Sequence, residues 1–181
     1  LPRGTYYAKE IKAPTGYEVD TTVYTITPGT TNVTEDYKFG SIRVNKTAED
    51  GVIADREFKV SWTENGKEQS KTAKTDSTGV ASFPNLKVYD ISSGNAISYT
   101  VSEVNTDERY VVPQAQDITL TSGNADLTVD VKFENRLKKF TAEVVKADSE
   151  NITAQGDATL VGATYGLYRD GERIATYTTD E

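Results

Sequence analysis

Apolar and polar side chains alternate with a period of two along most of this chain, in short runs broken by turn signals. The runs span residues 5–12, 23–27, 41–47, 57–63, 79–83, 97–104, 116–121, 127–134, 141–146 and 163–169. Each reads as a β-strand, because successive residues of a strand face opposite sides of its sheet. Pro14-Thr15-Gly16, Pro28-Gly29, Asn65-Gly66, Ser122-Gly123 and Asp170-Gly171 mark the turns between them. No stretch sustains the helical period, so the predicted class is all-β and sandwich-like.

The pattern repeats itself. SIRVNKTAEDG (41–51) matches FTAEVVKADSE (140–150), with Lys46 and Lys146 in register. EFKVSWTENGK (57–67) resembles TYGLYRDGER (164–173), and both end in a hairpin turn. YTVSEVNTDERY (99–110) matches YYAKEIKAPTGY (6–17), which places Glu103 over Glu10. Residues 117–135 likewise resemble 23–40. Only residues 40–138 hold all the pieces in order. The expected organisation is a complete unit at 40–138, the closing half of a similar unit at 1–39, and the opening half of a third at 139–181. On that reading the sequence is a segment of something longer.

In the complete unit three apolar strand faces each end in a polar residue. Ile42, Val44 and Lys46 share a face, as do Tyr99, Val101 and Glu103, and Leu127, Val129, Val131, Phe133 and Asn135. An amine, a carboxyl and a carboxamide would thus meet in a core. Burial disfavours the charged forms of the amine and the carboxyl, and a neutral amine beside a carboxamide carbon is a nucleophile facing an acylable group. A protonated Glu103 could hydrogen-bond the Asn135 carbonyl and shuttle protons to departing ammonia. The product would be a Lys46–Asn135 isopeptide bond between the first and last strands. The plainer alternative has Lys46 snorkelling to solvent and pairing with Glu103, while Asn135 merely ends a strand.

Composition removes most other chemistry. The 181 residues include no cysteine and no histidine, which excludes disulfides, thiolate nucleophiles, histidine zinc sites and Ser-His or Cys-His catalysis. A net charge of −8 with no basic cluster argues against nucleic acid or an anionic membrane as partner. No apolar run is long enough to span a bilayer, and no cofactor is expected. Asp148-Ser149-Glu150-Asn151 lacks the glycine and distal glutamate of a calcium loop and reads as a solvated loop. The Asn-x-Thr triplets at Asn32, Asn45 and Asn151 are ordinary in a Thr-rich chain, and Trp62 reads as core rather than as a sugar platform.

LPRGTYYAKEIKAPTGY (1–17) resembles the LPxGxYxxxExxAPxGY stretch, or E-box, of collagen-adhesin B-type repeats and related Gram-positive pilin domains. GSIRVNKTAEDG resembles their opening strand and VKFEN their closing one. The resemblance implies tandem prealbumin-like β sandwiches, often carrying an intramolecular Lys–Asn or Lys–Asp isopeptide bond made with a catalytic Glu or Asp. Carried over, the lysine falls on Lys46, the acid on Glu103 and the asparagine on Asn135. Glu10, in phase with Tyr6 and Ala8, takes the place of the catalytic acid of the first half-unit. The acceptor asparagine is missing there, because Gly40 and Ser41 align with Glu134 and Asn135; Asp36 is the candidate substitute, though out of phase with Tyr37 and Phe39. Lys146 resembles the reactive lysine of the third unit.

The function so implied is mechanical: a stalk segment of a surface adhesin on a Gram-positive cell wall, with neighbouring repeats of the same protein as its partners. Head-to-tail self-association through the two half-units is a further expectation. The alternatives are a ligand-binding adhesin module or pilin subunit recognising a host matrix protein or glycan. No residues support an enzyme acting on an external substrate.

Overall fold

The computed structural model describes residues 2–121, 127–150 and 159–180. The chain divides into two compact units, Leu1–Lys138 and Lys139–Glu181. The first unit contains β1 (Tyr6–Lys9) and β2 (Val23–Ile26), then β3 (Phe39–Ala48), β4 (Glu57–Glu64), β5 (Lys67–Lys74) and β6 (Val80–Lys87). It continues through β7 (Tyr89–Asp90), β8 (Asn95–Ala96), β9 (Ser98–Glu103), β10 (Tyr110–Val111), β11 (Gln116–Thr119) and β12 (Thr128–Leu137). The second unit holds β13 (Thr164–Arg169) and β14 (Glu172–Thr178).

Residues 40–138 form a sandwich of two four-stranded sheets, ordered β10-β12-β3-β6 and β11-β9-β4-β5. Alternation places the core between them. Ile42, Val44, Ala81, Phe83, Val131 and Phe133 come from the first sheet, and Phe58, Val60, Tyr99 and Val101 from the second; all are buried. Trp62 packs against this core with its ring 5.3 Å from that of Tyr99, as its apolar character requires. β3 and β12 lie side by side and parallel, with Val131 opposite Val44 and Phe133 opposite Lys46. Among the described residues all other strand pairs are antiparallel, so the opening and closing strands of the repeat stand out as one parallel ladder.

The pattern of strands departs from the sequence expectation at several places, the two-residue strands β7, β8 and β10 among them. β5 was not anticipated: KEQSKTAK is exposed at nearly every position, an edge strand with charge on both faces and so no alternation to read. The second half of the last hairpin, β14, was also missed. Conversely, residues 141–146 form no strand. Their counterpart in the complete repeat is held by β12 on one side and β6 on the other, and no described strand pairs with 141–146.

Residues 1–39 form a hairpin, β1 with β2, and then dock on the sandwich. The Tyr17 and Tyr37 rings stack at 5.2 Å, and the Lys87 amine sits 4.6 Å over the Tyr37 ring. The Val88 amide donates to the Lys38 carbonyl at 3.1 Å. Gly16 sits at φ +92°, a conformation L side chains rarely adopt, and a Cβ there would press on Ile91 Cδ1 at 2.7 Å.

Candidate functional site

Lys46, Glu103 and Asn135 meet at one end of the sandwich, and all three are buried. β3 brings Lys46 inward after Ile42 and Val44, and β12 brings Asn135 inward after Val131 and Phe133. In the parallel register Lys46 stands opposite Phe133, so Asn135 is one inward-facing step further along the same sheet. Glu103 ends β9 on the facing sheet, opposite Phe58 of β4. The triad therefore spans both sheets. Gly79 fixes the lysine backbone. The Lys46 amide donates to the Gly79 carbonyl at 2.8 Å, and a Cβ on Gly79 (φ +82°) would sit 2.6 Å from the Lys46 carbonyl oxygen.

The Lys46 side chain has no exposed surface, and its Nζ lies 3.6 Å from Glu103 Oε2 and donates to the Thr47 carbonyl at 2.8 Å. Lys46 does not snorkel to solvent, while its pairing with Glu103 holds as the plainer alternative had it. Asn135 Nδ2 donates to Glu103 Oε1 at 3.0 Å. The expected hydrogen bond from a protonated Glu103 to the Asn135 carbonyl is thus reversed: the acid accepts, and it accepts from the amide nitrogen. Glu103 Oε2 and Asn135 Oδ1 are buried with no hydrogen-bond partner. Buried polar atoms are rarely left so. A turn of the Asn135 amide about its terminal bond would offer Oδ1 to a carboxylic acid at Glu103 instead.

Burial pushes the Lys46 amine down from its ordinary value; the Glu103 carboxylate opposes that shift, and the Arg56 guanidinium adds to it. Phe58 and Phe133 flank the site, as the cross-strand neighbours of Glu103 and Lys46. Their rings meet edge to face at 5.1 Å, and both residues are buried. Neither was singled out as functional from sequence, although Phe133 lies on the alternating face that led to Asn135. A cleft of about 190 Å³ reaches Glu103 from outside, lined also by Arg56, Lys74 and Asn105. At the same end of the sandwich, the buried Tyr110 donates its hydroxyl to Asp50 at 2.8 Å and accepts from Arg109 at 2.9 Å. Its signal in the sequence was the tyrosine closing the E-box match, aligned with Tyr17.

The chain matches the family described as the SpaA prealbumin-like fold domain twice, over residues 1–39 and over residues 40–136. It belongs to that family. No curated protein matches the sequence. Among solved structures, the Bacillus anthracis TIE protein is similar at a TM-score of 0.68 and 23% identity, over 99% of this chain and 33% of that one. That likeness concerns the fold, and the chain spans a third of that protein's length. The shaft pilin SpaA of Lactobacillus rhamnosus GG shares 21% identity over 70% of this chain and 58% of its own, at a TM-score of 0.45. For the major pilin SpaA of Corynebacterium diphtheriae the figures are 18% identity, 55% and 31% coverage, and a TM-score of 0.43.

The other candidate residues of this SpaA prealbumin-like chain are not brought into such a site. Glu10 follows β1 and is half-buried; its Oε2 accepts from the Asp20 amide at 2.6 Å. It keeps to the same side as half-buried Tyr6, but Ala8 between them is exposed, so the face it shares is not a core. Its carboxyl also lies close to that of Glu35, and burial together with this neighbour raises the Glu35 pKa. Asp36 is exposed, as are Tyr37 and Phe39, and its backbone carbonyl accepts from the Glu18 amide at 2.8 Å. Lys146 is exposed on the strandless segment 141–146, contrary to the expected buried face. Asn151, of the set-aside calcium and glycosylation patterns, lies outside the described residues.

Proposed function

We propose that residues 40–138 cross-link themselves through a Lys46–Asn135 isopeptide bond and that the chain is a load-bearing stalk segment of a Gram-positive surface protein. The observation that carries this reading is the buried triad, in which Glu103 lies 3.6 Å from the Lys46 amine and 3.0 Å from the Asn135 carboxamide nitrogen.

The neutral Lys46 Nζ attacks Asn135 Cγ. Glu103 takes the proton the amine sheds and returns it to Nδ2. The Cγ–Nδ2 bond breaks, the Nζ–Cγ bond remains, and one ammonia leaves; no oxidant, metal or cofactor enters the balance. Desolvation favours the neutral amine on which the attack depends. The pair of phenylalanines keeps water from the reacting carbon, while the cleft beside Glu103 offers ammonia a way out.

The position of the bond suits tension. Force entering at Phe39 and leaving at Leu137 would shear β3 against β12, its parallel neighbour. A bond near the far end of that ladder passes the load directly from Lys46 to Asn135, so residues 47–134 carry none of it. In the chain-entropy model, closing a loop of about ninety residues stabilises by roughly 4–5 kcal/mol, by analogy with a disulfide. An amide, unlike a disulfide, resists reduction, which suits a cysteine-free protein outside the cell. Neighbouring repeats of the same protein are its partners in this reading, and any host ligand belongs to another domain.

Single-molecule pulling tests the stalk role. Stretched between its ends, the wild-type 40–138 repeat should give no extension from residues 47–134, whereas Glu103→Ala should unfold along its full length. Full-length extension of the wild type would overturn the reading.

A further inference from the structure

The triad sits where its two strands run out. Beyond Lys46, which stands opposite Phe133, the parallel ladder has two pairs left, Thr47 with Glu134 and Ala48 with Asn135. Strand ends open more readily than strand centres. Attack needs the amine within about 3–3.5 Å of the carboxamide carbon, and a slip of about 1 Å can cost roughly a hundredfold in rate. Something must pin this end of the ladder.

Hydrogen bonds from the turn after β3 do so. That turn, Ala48–Gly51, is closed by the Gly51 amide on the Ala48 carbonyl at 3.0 Å. Within it the Glu49 amide donates to the Asn135 carbonyl at 3.0 Å, and Glu49 Oε2 accepts from the Leu137 amide at 2.8 Å. A further bond comes from another strand. Tyr110 lies on β10, opposite Leu137, and its hydroxyl donates to Asp50, 2.9 Å from Oδ1 and 2.8 Å from Oδ2. In the sheet order β10-β12-β3-β6, β12 lies between β10 and β3. The Tyr110–Asp50 bond therefore straddles the end of the strand that carries Asn135.

We propose that Tyr110 and Asp50 are positioning residues for cross-linking: their hydrogen bond clasps the exit of β3 to β10 across β12 and holds Lys46 in register with Asn135. This rests on the reading of residues 40–138 as a repeat that cross-links itself. The pair acts through the backbones of β3 and β12 and takes no part in the proton transfers.

The clasp is built to hold one geometry. Tyr110 is fully buried, and a tyrosine hydroxyl at that depth needs a partner. Arg109 braces the pair. Its Nη2 donates to the hydroxyl at 2.9 Å, its Nε lies 3.4 Å from Asp50 Oδ2, and its guanidinium carbon sits 4.8 Å from the centre of the Tyr110 ring. Asp50 is also fixed from its own side, since its Oδ1 accepts from the Val52 amide at 3.2 Å. A phenylalanine would fill the space of the Tyr110 ring, so core packing alone does not call for the hydroxyl.

The rate of ammonia loss tests the clasp. The full 181-residue chain is made by cell-free synthesis, samples are quenched in acid at intervals, and their intact masses are read. Tyr110→Phe keeps the ring, and with it the fold, but should slow the loss about tenfold or more against wild type. Asp50→Ala should slow it to a similar degree. Asp50→Asn, which keeps an acceptor oxygen for the hydroxyl, should recover most of the rate. Wild-type rates in Tyr110→Phe and Asp50→Ala, or an Asp50→Asn chain as slow as Asp50→Ala, would overturn the proposal. A wild-type chain that loses no ammonia would instead overturn the cross-link on which it rests.

Discussion

Phe58 and Phe133 touch edge to face at 5.1 Å, and each is the cross-strand neighbour of a triad residue: Phe58 of Glu103, and Phe133 of Lys46. The two rings come from opposite sheets, each on the strand beside one member of the amine–acid pair. Packing of the core and chemistry of the site are therefore coupled.

Removing either ring should slow cross-linking more than it perturbs the fold. Phe58→Ala or Phe133→Ala costs roughly 3–5 kcal/mol of stability through lost contacts and a cavity. It also admits water beside Lys46, restoring the charged amine. Mass measured against time after refolding should show the cross-link forming slowly and incompletely, whereas Phe→Leu at the same positions should recover much of the rate.

The reaction should quicken as pH rises. Burial holds the Lys46 pKa below the ordinary lysine value, so in the folded, unreacted protein the neutral amine gains population at lower pH than on an exposed lysine. The rate of ammonia release should climb with pH and level off below the pH at which a free lysine deprotonates. A rate that fell with rising pH would contradict an amine nucleophile.

Glu103→Gln should separate fold from bond. The amide keeps the size of the acid and can still hydrogen-bond, so the sandwich should form, yet it cannot carry the proton from Nζ to Nδ2. The variant should melt at a clearly lower temperature, reflecting loss of roughly 4–5 kcal/mol of loop-closure stabilisation in the chain-entropy model. Equal melting temperatures would argue against the cross-link.

An outer-face ion pair between the same two strands should show in acid. Arg43 grips Asp130 with two hydrogen bonds, at 2.5 and 2.8 Å, holding the carboxyl at a pKa of about 2. A depressed carboxyl pKa contributes stability that is full above the ordinary aspartate pKa and is lost as pH falls through about 2. Both side chains are about half exposed, so solvent screening keeps the effect small. Melting curves of wild type and Asp130→Asn should differ slightly near neutrality and converge near pH 2.

The triad was legible because strand alternation is a strong constraint: with Ile42 and Val44 inside, Lys46 must follow, and the same holds for Glu103 behind Tyr99 and Val101. What alternation does not encode is the partner. It gave residues 141–146 the same strand pattern as β3, but a strand needs neighbours, and Lys146 lies exposed without them. β5 escaped for the opposite reason, since an edge strand with polar residues on both faces carries no period. The direction of the Asn135–Glu103 hydrogen bond and the place of Phe58 beside Glu103 depend on packing across two sheets, which no single run of residues records.

The most direct measurement is the intact mass of the folded chain. The wild-type mass should fall below the calculated value by one ammonia, and Lys46→Ala, Glu103→Ala and Asn135→Ala should each show the full calculated mass. A folded wild-type chain at its full calculated mass would contradict the cross-link.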